Sequence, residues 1–194
     1  FTGNIMLVMA WASRKVPTRL LLRNWLVVYL GNLVGASGTS LLVFVSGQYT
    51  FGHGAVGAAA LAIAHAKCSL AFLPAVALGA LCNALVCLAV WLTLSARTTT
   101  DRVLSIVPPI SAFVAAGFEH SIANMYFIPI GLLIKRWAPE SFWASIGSSA
   151  GDLPHLTLSS YLLGNLLPVT LGNILGGGVL VWAVYAFVYL RNKD

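Results

Sequence analysis

The sequence predicts an all-α membrane protein, and three observations carry that reading. Of its 194 residues, 59% are hydrophobic and only 8% are charged, where soluble domains carry roughly a quarter charged. Mean hydropathy is +0.88. The apolar residues gather into runs of about 20 or more, the length a helix needs to cross a bilayer, and the basic residues sit at the ends of those runs.

The net charge of +6 therefore does not point to nucleic acid, which asks for a basic surface stripe. Cys68, Cys82 and Cys87 adjoin or lie in apolar runs without the paired spacing of a metal site. Small-residue packing fits them better than a disulfide framework. No cofactor and no resident metal is expected.

The chain opens on an apolar run over 1–13, too short to span a bilayer as helix and without the basic start of a signal peptide. Spans are expected at 24–45, 68–95 and 160–190, the last stopped by "RNKD". The stretch 103–134 is long enough but is interrupted by Pro108, Pro109, Gly117, the pair Glu119–His120 and Pro129. It reads as two half-helices, 103–116 and 121–134, around a non-helical break. Together these make one transmembrane domain over 1–194. The basic cluster Arg14, Lys15, Arg19 and Arg23 places that loop in the cytoplasm by the charge rule for short loops. Alternation then puts 46–67 outside, 96–102 inside, 135–159 outside and the C-terminus inside.

A repeat lies within the spans. "YLGNLVGA" at 29–36 and "TLGNILGG" at 170–177 share Leu-Gly-Asn-aliphatic-aliphatic-Gly. Gly31 with Gly35, and Gly172 with Gly176, lay a small-residue groove on one helix face and let another backbone approach. The shared Asn suggests duplication. Upstream, "FEHSIAN" and "FTGN" each place Phe, polar residues and Asn before a short apolar run, so 1–13 reads as the second half of another broken helix. Each half would hold a span, a broken span and a span. Three is odd, so the halves must run in opposite senses, the inverted-repeat plan in which interrupted helices mark a solute path near the midplane.

Ionisable groups inside a membrane segment generally face an interior or a cavity. His120 stands at the start of the second half-helix, where backbone N–H groups and the helix dipole favour an anion. The repeat places Thr2 at the matching position, so a hydroxyl and an imidazole should converge on a small-anion site with a proton donor in reach. Glu119 fits a structural role better, pairing with His120 and capping the break, because a carboxylate in an anion path repels its cargo. Asn124, one turn on, shares a face with His120 and is placed to orient it. Asn83, Val86, Cys87 and Val90 share one helix face; an Asn there either bonds another helix or lines a pore, and the sequence supports both equally. Lys67 either snorkels or draws anions toward a mouth. Phe1 and Phe113 flank the breaks and suit dry constrictions, although most Phe in spans simply pack. An intramembrane enzyme built on Glu119 and His120 lacks further convergent ligands, since His53, His65 and His155 lie in or near loops.

"FTGN" at 1–4, "LCNALVCLAVW" at 81–91, "GFEHSIANM" at 117–125 and "VTLGNILGGG" at 169–178 together resemble the formate/nitrite transporter family. The likeness covers essentially the whole chain. It leans to the formate channel branch through "GFEHSIANMYFIPIG" and "NLLPVTLGNILGGG". The resemblance implies an aquaporin-like, six-span protomer in the cytoplasmic (inner) membrane, assembled as a homopentamer with a pore in each protomer. Formate is the implied solute and nitrite the nearest alternative. The family's loop Thr matches Thr2, its central His matches His120, and its constriction Phe residues match Phe1 and Phe113. Its pore-facing Asn matches Asn83, with Val86 one turn on, and its outer-mouth Lys matches Lys67. The family carries an N-terminal segment, a first helix and half of the second before "FTGN". The chain is thus expected to be truncated before the second half of transmembrane helix 2, by roughly 80–100 residues at about 20 per span plus connections. One wall of the pore would then be missing.

Overall fold

The computed structural model describes residues 1–185, 187 and 188. The far end of the span expected to reach 190, and the basic C-terminus used to orient it, lie outside the described residues. Among the described residues there is no strand; short 3-10 turns lie at Gln48–Thr50 and Ala150–Asp152, and eight helices follow one another. They are α1 (Gly3–Ala12), α2 (Thr18–Val45), α3 (Ala55–Cys68), α4 (Phe72–Ser95), α5 (Thr99–Ala115), α6 (Ser121–Trp137), α7 (Glu140–Ile146) and α8 (Ser160–Val184). Of these, α2, α4 and α8 are long and apolar enough to cross a membrane.

Local chemistry sets the boundaries. Pro17 precedes α2, and its carbonyl accepts from the amides of Leu20 and Leu21, so the helix begins six residues before the expected span and carries Arg19 and Arg23 in its first turns. Thr98 starts α5 with a capping box: its hydroxyl accepts from the amide of Asp101, whose carboxylate accepts from the amide of Thr98. Pro108 and Pro109 do not interrupt α5, which runs through both. The break comes later, at Ala116–His120, where Gly117 takes φ +67°, a left-handed conformation that costs glycine little.

Two expectations need correction. The second span does not start at 68. Cys68 ends α3, where Ser69 closes the helix by donating its amide and its hydroxyl to the carbonyl of His65, and α4 begins at Phe72 with Pro74 in its first turn, where a missing N–H is harmless. The stretch read as an outer loop, 46–67, contains α3, a 14-residue Ala-rich helix too short to have been read as a span.

The chain forms two compact units. The first comprises Phe1–Tyr29, Leu73–Ser121 and the described residues from Pro168 onward. Its buried side chains include Ile5, Ala75, Cys82, Cys87 and Val169, and its tightest seam is α4 against α8. A Cβ on Gly79 would meet the carbonyl of Val169 at 2.8 Å, and one on Gly172 or Gly176 would collide with the α4 backbone at Val76 or Ala80. Glycines there let the two backbones touch. Along α8, π-helical stretches at Ser160–Leu166 and Leu175–Leu180 flank eight residues of α-helix, Leu167–Ile174. The second stretch holds Gly176, Gly177 and Gly178, all buried.

The second unit comprises Leu30–Phe72 and Ile122–Leu167. Met125, Ile128, Ile134 and Leu156 are fully buried in it, and Gly131 lets α6 approach Ala64 of α3. Tyr49 stacks on Phe44 (5.1 Å) and meets the edge of Phe142 (5.2 Å). The Lys135 ammonium donates to the carbonyls of Leu153 (2.7 Å) and Leu156 (3.0 Å). Gly31 and Gly35, the first copy of the repeat, have nothing within 4 Å of an added Cβ. Of the two glycine pairs, the one in the second copy meets a partner backbone among the described residues.

Candidate functional site

The first unit brings Thr2 to His120. Thr2 precedes the 3-10 turn Gly3–Met6 and is 6% exposed. Two side-chain bonds hold that turn: the side-chain amide of Asn4 donates to Asn24 Oδ1 (3.3 Å), and the indole of Trp25 donates to the Asn4 carbonyl (3.1 Å). On the other side, the Thr2 carbonyl accepts from the side-chain amide of Asn83 (3.4 Å) and from the Cys87 thiol (3.9 Å). A Cβ on Gly177 would run into Asn83 and meet the Cys87 sulfur at 2.7 Å, so a glycine is needed for α4 to reach the loop.

His120 is the last residue of the break before α6. Its Nε2 lies 3.2 Å from Thr2 Oγ1; which atom donates depends on the imidazole tautomer. The ring of Phe113 stacks on the imidazole at 5.7 Å and 20°. Asn173 fixes the backbone on both sides. Its amide donates to the carbonyls of Glu119 (3.1 Å) and Gly79 (2.9 Å), and its Oδ1 accepts from the amide of Ser121 (3.0 Å). Asn173 itself is anchored, because Asn83 donates to its carbonyl at 2.6 Å. Two wholly buried polar atoms in this region, Asn83 Oδ1 and Ser121 Oγ, have no hydrogen-bond partner among the described residues.

Phe1 meets the edge of Tyr29 at 4.9 Å and of Trp25 at 6.2 Å. The Tyr29 hydroxyl and the Thr170 hydroxyl lie 2.9 Å apart, which anchors this aromatic cluster to α8. Chemically, the arrangement offers a hydroxyl and an imidazole side by side, flanked by aromatic rings, at the positive end of a 17-residue helix.

The chain matches the family model described as "Formate/nitrite transporter" over residues 1–187. It belongs to that family. Like other formate/nitrite transporters it is a membrane protein, and its role is transport rather than catalysis. It is 45% identical to "Formate channel FocA" of Escherichia coli (strain K12) over 194 residues, all of this chain and 68% of that protein. To "Formate channel FocB" of the same strain it is 42% identical, again over all of this chain and 68% of the relative. Among solved structures, "Pentameric formate channel with formate bound" superposes with a TM-score of 0.86 at 46% identity, covering 91% of this chain and 69% of that one. "FNT family ion channel" gives 0.76 at 30% identity, covering 96% and 67%.

Within this formate/nitrite transporter, hydrogen bonds and ring contacts join Thr2, His120, Phe113 and Asn83 in the first unit, and Phe1 adjoins Thr2 in sequence. Val86 lies a turn from Asn83 and is 8% exposed. Asn83 is fully buried, and its side-chain amide donates to the carbonyls of Thr2 and Asn173. Glu119 is buried, with its own amide donating to Leu78 at 3.4 Å. Lys67 and Asn124 belong to the second unit. There Asn165 accepts from the amide of Asn124 (2.7 Å) and donates to the Lys67 carbonyl (3.0 Å). Sequence reasoning missed Asn173, Asn165 and Tyr29. Asn173 stood inside the quoted repeat but read there only as a mark of duplication; the signal that could have found it is a polar amide in an apolar span, which must find partners inside the protein.

Proposed function

We propose that this chain is the pore-forming part of a formate channel, with the solute binding at Thr2 and His120 on its way through. The observation that carries the reading is the 3.2 Å approach of the Thr2 hydroxyl to the His120 imidazole across 118 residues of sequence. Two relatives are formate channels, and a solved relative is a pentamer with formate bound; these support formate as the solute and a homopentamer as the assembly. No observation favours nitrite.

Formate is a compact monovalent anion. Lys67 draws it toward the outer mouth. Aromatic constrictions at Phe1 and Phe113 resist the charged form and admit the neutral acid more readily. At the centre, the imidazole changes charge near neutral pH, so His120 in its cationic form stabilises the carboxylate and gives it a proton. Thr2 holds the imidazole in place and donates to the carboxylate in turn. The proton returns to His120 from either side. Val86 completes the apolar wall next to Asn83, while Glu119 and Asn124 support the break and the start of α6. The protein lies in the cytoplasmic membrane with 14–23 and the C-terminus on the cytoplasmic side.

Uptake of labelled formate into proteoliposomes at a series of pH values tests this. His120→Phe should alter the pH dependence of flux. A variant with the flux and pH profile of the parent would remove His120 from the mechanism.

A further inference from the structure

The second unit carries a groove of about 660 Å³ that plays no part in the site above. Its wall is apolar, formed by Leu41 of α2, Leu132 and Leu133 of α6, and Leu158. Arg136 and Trp137 line it at the C-terminal end of α6. Leu41 is 50% exposed, Leu158 63% and Trp137 62%, so the wall is open rather than filled. Arg136 and its neighbour Lys135 differ sharply. Lys135 turns to the protein and donates to two carbonyls, whereas Arg136 is exposed and no ion pair or hydrogen bond engages it among the described residues. Among the described residues, no acidic side chain lines the groove.

We propose that this groove binds an anionic phospholipid, with an acyl chain along the leucines and the headgroup phosphate on Arg136. The chemistry matches at both ends. A guanidinium presents paired donors suited to phosphate oxygens, and Trp beside a basic residue at the end of an apolar helix is the usual composition of the membrane interface. A second copy of the chain would have to bring a carboxylate to Arg136. Of the five acidic residues, Glu119 is buried and the carboxylates of Asp101 and Asp152 accept bonds from their own loops, which leaves Glu140, exposed at the start of α7, as the described carboxylate that such a copy could offer.

Native mass spectrometry of the delipidated protein, titrated with phosphatidylglycerol or with phosphatidylcholine, tests the assignment. Phosphatidylglycerol should form a retained one-per-chain adduct, and phosphatidylcholine should be retained at least about 5-fold less. Arg136→Gln should remove that preference, Arg136→Lys should keep part of it, and Leu133→Trp, which fills the groove, should lower retention of both lipids. Equal retention of the two lipids in the parent, or a preference that survives Arg136→Gln, would overturn the proposal. So would efficient disulfide cross-linking between chains carrying Leu133→Cys, which would mean that a second copy covers the groove.

Discussion

The side-chain amide of Asn173 donates to the carbonyl of Glu119 at 3.1 Å, and the same residue takes the amide of Ser121 on its oxygen at 3.0 Å. His120 lies between the two. The interrupted helix is therefore held at its break by an amide from α8, and this fixes where the imidazole stands.

Replacing Asn173 by Ala leaves the Glu119 and Gly79 carbonyls without that donor and the Ser121 amide without that acceptor, all in a buried setting. An orphaned buried group costs about 1–3 kcal/mol, so the variant should lose at least about 2 kcal/mol of stability. Asn173→Asp keeps the acceptor but loses both donors, and should also be impaired. Heat-induced loss of the folded protein in detergent measures this. A variant as stable as the parent would show that the break is held by other groups.

Much of this arrangement was legible in the sequence, and the reasons for the remainder are physical. The glycine spacing and the Phe-polar-Asn pattern led to Thr2 opposite His120, because a duplicated motif with a break has few ways to fold in a membrane. The cap by Asn173 was not legible, since one Asn in an apolar run says that it needs partners but not which ones. Helix α3 was hidden by its length: 14 residues of mostly Ala and small side chains neither span a bilayer nor show a strong apolar stripe. Pro108 and Pro109 lie inside the half-helix expected over 103–116, and α5 runs through both. A helix tolerates a Pro where neighbouring groups take over the lost bonds, and that depends on neighbours the sequence does not display.

The two copies of the repeat should respond differently to the same substitution. Gly176→Ala forces a Cβ into the Ala80 carbonyl, and overpacking of this kind typically costs about 1–3 kcal/mol. Gly35→Ala meets nothing within 4 Å and should change the stability of this chain by less than about 1 kcal/mol, consistent with the helix preference of Ala over Gly. Equal losses from the two would contradict the packing described.

Tyr29 should matter to the constriction proposed at Phe1. Tyr29→Phe removes only the bond to Thr170 and should cost about 1 kcal/mol, with the ring still in place. Tyr29→Ala removes the surface against which Phe1 sits and should raise leak of chloride or other anions through reconstituted protein. Leak unchanged in Tyr29→Ala would separate this cluster from the constriction.

The start of α5 should be acid-sensitive. Bonds from the Thr98 side chain and backbone hold the Asp101 carboxyl below the usual carboxylate range. The folded value is depressed, so the stabilisation is present above the ordinary Asp value of about 3.9 and is lost as pH falls below it. Hydrogen exchange at the amides of Thr98 and Asp101, corrected for intrinsic rate, should stay slow from pH 8 to pH 5 and quicken as pH drops below about 4. Asp101→Asn should flatten that dependence, and a profile identical to the parent would refute the assignment.

The measurement that bears most directly on the account is a double-mutant cycle on formate flux, with Thr2→Val and His120→Asn tested singly and together at one pH. Residues that act as a single site couple strongly, so the pair of substitutions should slow flux little more than the worse of the two alone. Losses that simply multiply would mean that the hydroxyl and the imidazole work independently, and that the contact between them is not what moves the solute.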